Sequence, residues 1–395
     1  MTITLDNLDF LASSAGLQWL EQVRHEDLSD SQTLRVLNLL RRDLSPQHAG
    51  AVLEMARLRL KAVAKFGSAA ERMWFTRDAL EQASDPQVRH YRAKDGAGLQ
   101  VVDACCGIGA DSLALAAAGA AVLGLDNDPV RVRIAQMNAA ALDLSATFQL
   151  ADVRDGLPKA DLVFYDPARR DANGRRIHHV EHYQPPLALV KDWHTDQSHA
   201  RIVVKLSPGV DLQQLESYAG AVEFISVQGD LKEAILRLGG LEAGDMQATL
   251  LTPEGVHVFQ REGAPPAVPL SEPRRWLLEP DASVLRAGLV GDLALELGGT
   301  LLDETIAYIT TDTRRETVWA RAWPVLDWMP FHVKRLRAYL REQGVGRVTV
   351  KKRGSAVTPE ALIPKLKLHG DESRVLVLTR CRGNPVALVC GEMVY

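Results

Sequence analysis

The residues best suited to chemistry in this 395-residue chain lie between Val101 and Ser112. The run Val101-Val102-Asp103 is typical of a short strand that ends in an acid, and Gly107 and Gly109 follow before a helix predicted from Asp111. Glycines at a strand-to-helix turn let the backbone pass close to a ligand. The pattern therefore predicts a ligand-binding loop at the carboxyl end of a strand.

Three further predicted strands also end in acids. Asp126, Asp152 and Asp166 each follow a short apolar run. Because the carboxyl ends of parallel strands meet at one edge of a sheet, these acids should line a common crevice. Asp126 stands 19 residues after Gly107, the distance at which an acid reaches the hydroxyls of a nucleotide ribose. We expect Asp152 to accept from an adenine amine and Asp166 to reach the reaction centre.

A dinucleotide such as NAD is the alternative ligand for these glycines. Ser112 stands where the dinucleotide fingerprint has its third Gly, so close helix packing against a pyrophosphate is not provided. Acids facing the ligand would also repel a pyrophosphate, whereas they attract a sulfonium and an amino group. The pattern favours a cationic cofactor and resembles the class I S-adenosylmethionine-dependent methyltransferases.

This resemblance implies S-adenosyl-L-methionine as cofactor and a Rossmann-like sheet. Asp103, Gly107 and Gly109 match the motif around the methionine part of the cofactor, Asp126 the ribose-binding acid and Asp152 the adenine-binding acid. The predicted cofactor-binding residues are Asp103, Cys106, Gly107, Gly109, Asp126, Asn127, Asp152 and Val153.

The run Asp166-Pro167-Ala168-Arg169 matches the family's catalytic motif. In members that methylate exocyclic amines, an acid or amide and the next backbone carbonyl hold the amine protons, and an aromatic residue stacks on the base. Here Ala168 and Arg169 replace the second Pro and the aromatic residue, and Arg169 could stack on a base or hold a phosphate. The predicted catalytic residues are Asp166, Pro167, Arg169 and Lys205.

The sequence leaves alternatives to methylation of a base amine. Ribose 2′-O-methyltransferases use a Lys-Asp-Lys-Glu set, and the chain offers Lys94, Asp166, Lys205 and Glu233. Covalent methylation at a pyrimidine C5 needs a nucleophilic Cys near the site. None stands directly after Asp166 or the fifth predicted strand, and Cys381 and Cys390 lie in another predicted domain, so this chemistry is not expected. A small-molecule methyltransferase and a non-catalytic RNA-binding protein are the remaining alternatives.

The surrounding elements predict an α/β protein in four segments. Residues 1–92 have helical periodicity and should form an N-terminal helical cap. In 93–262, strands alternate with helical stretches, which predicts a largely parallel sheet with a hairpin of Gln247–Leu251 and Val256–Phe259 at its edge. Residues 263–330 form a connecting segment, with a helix expected over Asp281–Leu289, and 331–395 form an α+β domain.

The net charge of -4 conceals a strong asymmetry. Residues 331–382 hold 13 Lys and Arg against 4 acids, whereas the rest of the chain holds 33 bases and 46 acids. A basic segment of this kind is typical of a module that binds a polyanion. The predicted RNA-binding residues are Lys351, Lys352, Arg353, Lys365, Lys367 and Arg380.

The chain as a whole resembles a bacterial family in which a methyltransferase domain precedes a ferredoxin-like segment and a THUMP-like domain. The matching runs are Phe75-Thr76 to Ala83-Ser84, Asp166-Pro167-Ala168-Arg169-Arg170, Lys205-Leu206-Ser207-Pro208-Gly209, Lys232-Glu233-Ala234, Glu279-Pro280 and Val350-Lys351-Lys352-Arg353-Gly354. The methyltransferase part is also distantly similar to trimethylguanosine synthases. THUMP domains grip tRNA, so the resemblance implies tRNA or rRNA as partner and modification of RNA, most simply N-methylation of a base.

Metal and membrane functions are not expected. The four Cys form no disulfide framework and no zinc spacing. The longest charge-free apolar stretch, Ser112 to Leu125, is too short to span a bilayer. The N-terminus has no signal pattern, so a cytoplasmic location is expected.

Overall fold

The computed structural model describes residues 3–171, 174–195, 199–239, 244–261 and 263–394. The chain divides into two compact units. The first unit comprises residues 1–221 and 232–244, and the second comprises 222–231 and 245–395.

The first unit opens with six helices. The longest begins where Ser45 accepts a hydrogen bond from the His48 amide at 3.2 Å and Pro46 takes the first helical position, a favoured start for a helix. This helix ends at Gly67, whose φ is +56°. The six helices are α1 (Leu5–Ala12), α2 (Ser14–Val23), α3 (Thr33–Leu40), α4 (Pro46–Phe66), α5 (Arg77–Gln82) and α6 (Pro86–Ala93).

Strands then alternate with helices, as expected from the sequence. The elements are β1 (Gln100–Ala104), α7 (Ala110–Ala117), β2 (Ala121–Asp126), α8 (Pro129–Ala141), β3 (Ala146–Leu150), β4 (Ala160–Tyr165), α9 (Leu189–Thr195), β5 (His199–Leu206), β6 (Ala221–Val227), β7 (Asp230–Leu238), β8 (Met246–Thr252) and β9 (Gly255–Gln260).

The sheet of the first unit has the strand order β3-β2-β1-β4-β5-β7. The first five strands are parallel, and β7 runs antiparallel to β5. In this register Ala104 lies opposite both Leu125 and Tyr165. Asp126 and Asp166 therefore flank the loop that follows β1, which confirms the predicted parallel α/β architecture.

In the second unit, β6 pairs in parallel with β8, and β8 and β9 form the predicted hairpin. A seven-stranded sheet follows in the order β11-β12-β10-β13-β16-β15-β14. Its elements are β10 (Trp276–Pro280), α10 (Ala282–Arg286), α11 (Val290–Glu296), β11 (Thr300–Asp303), β12 (Ile306–Thr311), β13 (Ala320–Pro330), α12 (Val333–Glu342), β14 (Val345–Lys352), α13 (Pro359–Leu366), β15 (Glu372–Cys381) and β16 (Asn384–Cys390).

The helix expected over Asp281–Leu289 is shorter than predicted. It ends at Arg286, and Gly288 has a φ of +68°. A left-handed residue cannot continue a right-handed helix, so the apolar pattern resumes in a separate helix at Val290.

Two further observations concern the described part of the chain. None of its helices is long and apolar enough to cross a membrane. It also contains no group of three or more His, Cys, Asp or Glu placed to hold a metal ion.

Candidate active site

The loop after β1 depends on backbone conformations that favour glycine. Gly107 has a φ of +57° and Gly109 a φ of +82°. A Cβ built on Gly109 would lie 3.2 Å from side-chain atoms of Ala135 and Phe148, whereas one on Gly107 would meet nothing within 4 Å. Gly109 is therefore required for packing, and Gly107 faces open space where a ligand can approach the backbone.

Asp126, at the end of β2, closes this loop. Its Oδ2 accepts the Gly107 amide at 2.9 Å and its Oδ1 accepts the Asp128 amide at 3.0 Å. Burial raises the pKa of this carboxyl, and the two amides and Arg131 oppose the rise. Asp126 thus shapes the loop before any ligand binds, a role that the sequence prediction of ribose binding did not include.

Asp103 is the most deeply buried of the strand-end acids, at 1% exposed. Its Oδ2 accepts a hydrogen bond from the Ser112 hydroxyl, but its Oδ1 has no partner among the described residues. Burial, followed by the negative charge of Asp111, raises the pKa of Asp103 to about 8. A buried carboxyl oxygen that has no hydrogen-bond partner and lies near another negative charge is suited to binding a cation.

The remaining predicted cofactor residues differ in exposure. Asp152 is partly exposed and pairs with Arg154 at 2.5 Å, and this hydrogen bond lowers its pKa to about 2. Asn127 is exposed, and Val153 is buried. Cys106 is buried, with its amide donating to the Leu125 carbonyl at 2.9 Å, so it packs the turn.

Asp166 and Lys205 meet at the neighbouring ends of β4 and β5. The Lys205 Nζ lies 2.5 Å from Asp166 Oδ2, and Lys205 is only 3% exposed. Asp166 Oδ1 has no hydrogen-bond partner among the described residues, and the Asp166 side chain is 24% exposed. The pair therefore presents one free carboxylate oxygen at the sheet edge. Pro167 is buried, and Arg169 is half-buried.

A buried ion network beside this pair was missed by the sequence reasoning. Arg92 on α6 contacts Asp111 at 2.6 Å and Glu233 on β7 at 2.9 Å. The guanidinium also lies 4.7 Å from the centre of the Phe164 ring. The Arg92 side chain is 3% exposed and that of Glu233 is 5% exposed. In the sequence these are ordinary charged residues, typical of a surface, so nothing there signals their burial.

The ion network changes the pKa values of both of its acids. Burial favours a raised pKa for Asp111, but the charges of Arg92, Lys205 and Arg89 outweigh it and leave this pKa lowered. For Glu233 burial dominates over Arg92, and its pKa is raised. Lys205 acts on both acids, so the network is electrostatically continuous with the Asp166–Lys205 pair.

The chain after β4 folds back on itself, and a tyrosine stands next to the point where the two segments pair. Ala168 and Gln184 form an antiparallel bridge, with amide-to-carbonyl distances of 2.9 and 3.0 Å. Tyr183, next to Gln184, is 2% exposed, and its hydroxyl has no hydrogen-bond partner of normal geometry among the described residues. The sequence offered no signal for this pairing.

The helical segment is fastened to the sheet part of the first unit through Asn138. Its Oδ1 accepts the Trp74 amide at 2.7 Å, and its Nδ2 donates to the carbonyls of Trp74 and Ile108, both at 3.1 Å. These bonds make Asn138 a packing residue that joins Trp74 to the loop after β1.

In the second unit, the predicted RNA-binding residues fall into two groups. Lys351 contacts Glu279 at 2.5 Å, Arg353 donates to the Ala307 carbonyl at 3.1 Å, and Arg380 donates to Thr305 at 3.0 Å. These three bases hold the unit together. The other three are exposed and have no acidic partner among the described residues: Lys352, Lys365 and Lys367.

Known proteins resemble this chain along most of its length. Family models match residues 4–62 (a domain of unknown function), 101–166 (methyltransferase domain) and 320–392 (THUMP domain-like). A Mycobacterium tuberculosis protein named an uncharacterized S-adenosylmethionine-dependent methyltransferase is 34% identical over 337 residues, which is 83% of this chain and 92% of that protein.

Two more distant similarities add to this. A Streptococcus pyogenes protein named an uncharacterized RNA methyltransferase is 29% identical over 125 residues, 30% of this chain and 28% of that protein. A solved structure from Porphyromonas gingivalis W83, described as a candidate methyltransferase, has a TM-score of 0.80 at 19% identity and covers 99% of both chains, so it shares the fold. The predicted fold class, enzyme class and cofactor are confirmed. The chain belongs to the S-adenosylmethionine-dependent methyltransferases and carries a THUMP-like domain at its C-terminal end.

Proposed function

We propose that this enzyme methylates an exocyclic amine of a base in structured RNA, tRNA or rRNA. The observation that carries the proposal is the free oxygen of Asp166 at the end of β4, beside a partner oxygen held by Lys205. An amine N–H can donate to the free oxygen, which fixes the nitrogen lone pair towards the methyl donor. The cofactor supplies an electrophilic methyl group, and alignment of the nucleophile with it can supply roughly 7–11 kcal/mol of the barrier.

The strand-end acids suit this cofactor. Asp103 offers a buried carboxyl oxygen without a partner among the described residues, and Gly107 leaves open space at the loop. Both features fit the cationic methionine part of S-adenosylmethionine. We assign Asp126 to the ribose and Asp152 to the adenine. The predicted roles of Cys106, Asn127 and Val153 rest only on their positions beside these acids.

RNA binding is supported by the second unit taken by itself. Arg341 on α12 donates to the Lys367 carbonyl at 2.7 and 3.0 Å, which holds the end of α13 in place with Lys365 and Lys367 exposed. Lys352 is exposed on the edge strand β14. Exposed bases without acidic partners are free to neutralise phosphates. The THUMP domain-like match over 320–392 covers all three lysines.

The test uses labelled S-adenosylmethionine and total RNA from a strain that lacks the gene. The unchanged enzyme should label RNA, and the triple variant Lys352→Ala/Lys365→Ala/Lys367→Ala should bind RNA more weakly. Its slope of log affinity against log salt should be shallower by about 0.7–0.9 for each phosphate that is no longer neutralised.

The double variant Arg275→Ala/Arg315→Ala removes exposed bases outside the 331–382 segment and serves as the control. Its affinity for RNA should stay close to that of the unchanged enzyme. Label confined to small molecules would refute an RNA substrate. Equal binding by the triple variant and the unchanged enzyme would refute the docking surface.

Ribose 2′-O-methylation is the second candidate, because Lys205 contacts Asp166 and acts on Glu233. Lys94, the other lysine of the expected set, is exposed at the end of α6. Digestion of labelled RNA to nucleosides separates the two chemistries, since the label resides either on the base or on the ribose. With a ribose product, Lys205→Ala should nearly abolish transfer; near-normal turnover would exclude a catalytic role for Lys205.

A further inference from the structure

Tyr183 carries a buried hydroxyl whose proton is accepted by none of the described residues. The side chain is 2% exposed, and its oxygen has no hydrogen-bond partner of normal geometry in that part of the chain. Leaving the proton of a buried hydroxyl without an acceptor is unfavourable, so such groups are uncommon in folded proteins. Burial raises the pKa of this phenol, although the charge of Arg169 and then the Ser207 backbone oppose the rise. The hydroxyl therefore stays protonated and able to donate.

The chain next to Tyr183 pairs with the predicted catalytic run. Ala168 and Gln184 form a single antiparallel bridge, so their chain neighbours Arg169 and Tyr183 lie on adjoining backbone segments. The charges of both Arg169 and Asp166 act on the pKa of the Tyr183 phenol. The loop that holds Tyr183 is anchored, because the Tyr165 hydroxyl donates to the Pro185 carbonyl at 2.8 Å. The bridge thus ties the segment that carries Tyr183 to the run Asp166-Pro167-Ala168-Arg169, in which the family's aromatic residue is missing.

We propose that the Tyr183 hydroxyl donates a hydrogen bond to an acceptor atom next to the methylated amine. Asp166 Oδ1 would accept a hydrogen bond from the amine, and the Tyr183 hydroxyl would donate one to a ring nitrogen that carries no proton. This pair of side chains therefore matches a base in which the amine-bearing carbon is bonded to such a nitrogen. Adenine, cytosine and guanine carry this edge, and uracil does not. Arg169, which is half-buried and has a flexible side chain, can shift to admit the base.

This inference rests on the proposed function for its substrate class, but its test does not. Tyr183→Phe keeps the ring and removes only the hydroxyl. We expect kcat/KM to fall by about 10- to 100-fold, with unchanged affinity for S-adenosylmethionine and no loss in melting temperature, because no hydrogen bond of normal geometry is broken. A purely structural tyrosine would show the opposite pattern.

Tyr218→Phe is the matched control. Tyr218 is also a buried tyrosine of the first unit, but its hydroxyl donates a hydrogen bond to Glu181. Removing it should lower the melting temperature and leave kcat/KM close to that of the unchanged enzyme.

The acceptor in this experiment is a whole extract of a strain lacking the gene, separated after labelling into RNA, protein and small molecules. Label in a fraction other than RNA refutes the RNA proposal, and the Tyr183→Phe comparison is then made on that fraction. Unchanged kcat/KM in Tyr183→Phe, or a methyl group on uridine, would overturn the role of Tyr183. No label in any fraction would overturn both proposals.

Discussion

Replacing Arg92 by Met should destabilise the first unit strongly. The substitution removes the cation that faces Asp111 at 2.6 Å and Glu233 at 2.9 Å. The side chains of Arg92 and Glu233 are 3% and 5% exposed, so water cannot replace the missing partner. Breaking a buried ion pair from one side costs about 3–5 kcal/mol, a large part of a typical stability of about 5–15 kcal/mol.

Urea unfolding followed by tryptophan fluorescence measures this destabilisation, and Arg24→Met is the control. Arg24 pairs with Glu21 at 3.0 Å, but both side chains are at least half exposed, so its removal should leave the free energy of unfolding close to that of the unchanged chain. The double variant Arg92→Met/Glu233→Gln should be destabilised by less than the sum of the single variants, since one of the two charges that Arg92 faced is then removed and only that of Asp111 remains. If Arg92→Met unfolds like Arg24→Met, the network does not hold α6 to the sheet.

Two further predictions concern the cofactor. The pKa of Asp103 is raised to about 8, and a cation prefers the carboxylate, so affinity for S-adenosylmethionine should rise with pH by up to about tenfold per pH unit and level off above about pH 8. Isothermal titration calorimetry measures this affinity, and its pH profile should be flatter for Asp103→Asn. A flat profile for the unchanged enzyme would contradict the proposed contact. Asp126→Ala should weaken cofactor binding by about 1.5–3 kcal/mol, and unchanged affinity in equilibrium dialysis would remove Asp126 from the ribose site.

The elements around the cofactor loop could be predicted because they depend on local sequence. Gly107 and Gly109 mark the turn through their conformational freedom, and each acid follows an apolar run. Parallel strands then bring Asp126 and Asp166 to one edge without further information. The hairpin of β8 and β9 was equally visible, since a Pro-Glu-Gly turn separates two apolar runs.

Pairings between distant residues could not be predicted in this way. Arg92 and Glu233 are ordinary charged residues in the sequence, and only the packing of α6 against the sheet reveals that they are buried. The same holds for Tyr183, whose segment meets the run after Asp166 only because Gln184 pairs with Ala168. The count of Lys and Arg identified a positive segment, but it could not show that Glu279 contacts two of these bases, Lys351 and Arg353, and so neutralises part of the charge.

The partners of the strand-end acids indicate how one edge of a sheet can serve both the cationic cofactor and the proposed base. Asp126 is held by backbone amides, and Asp152 by the exposed Arg154, which can move aside. Asp103 has an oxygen without a partner among the described residues, which suits the cofactor's positive charge. Asp166 is balanced by the buried Lys205, so it can accept a neutral amine without adding unpaired negative charge. Removing Lys205 should therefore impair use of the acceptor more than binding of the cofactor.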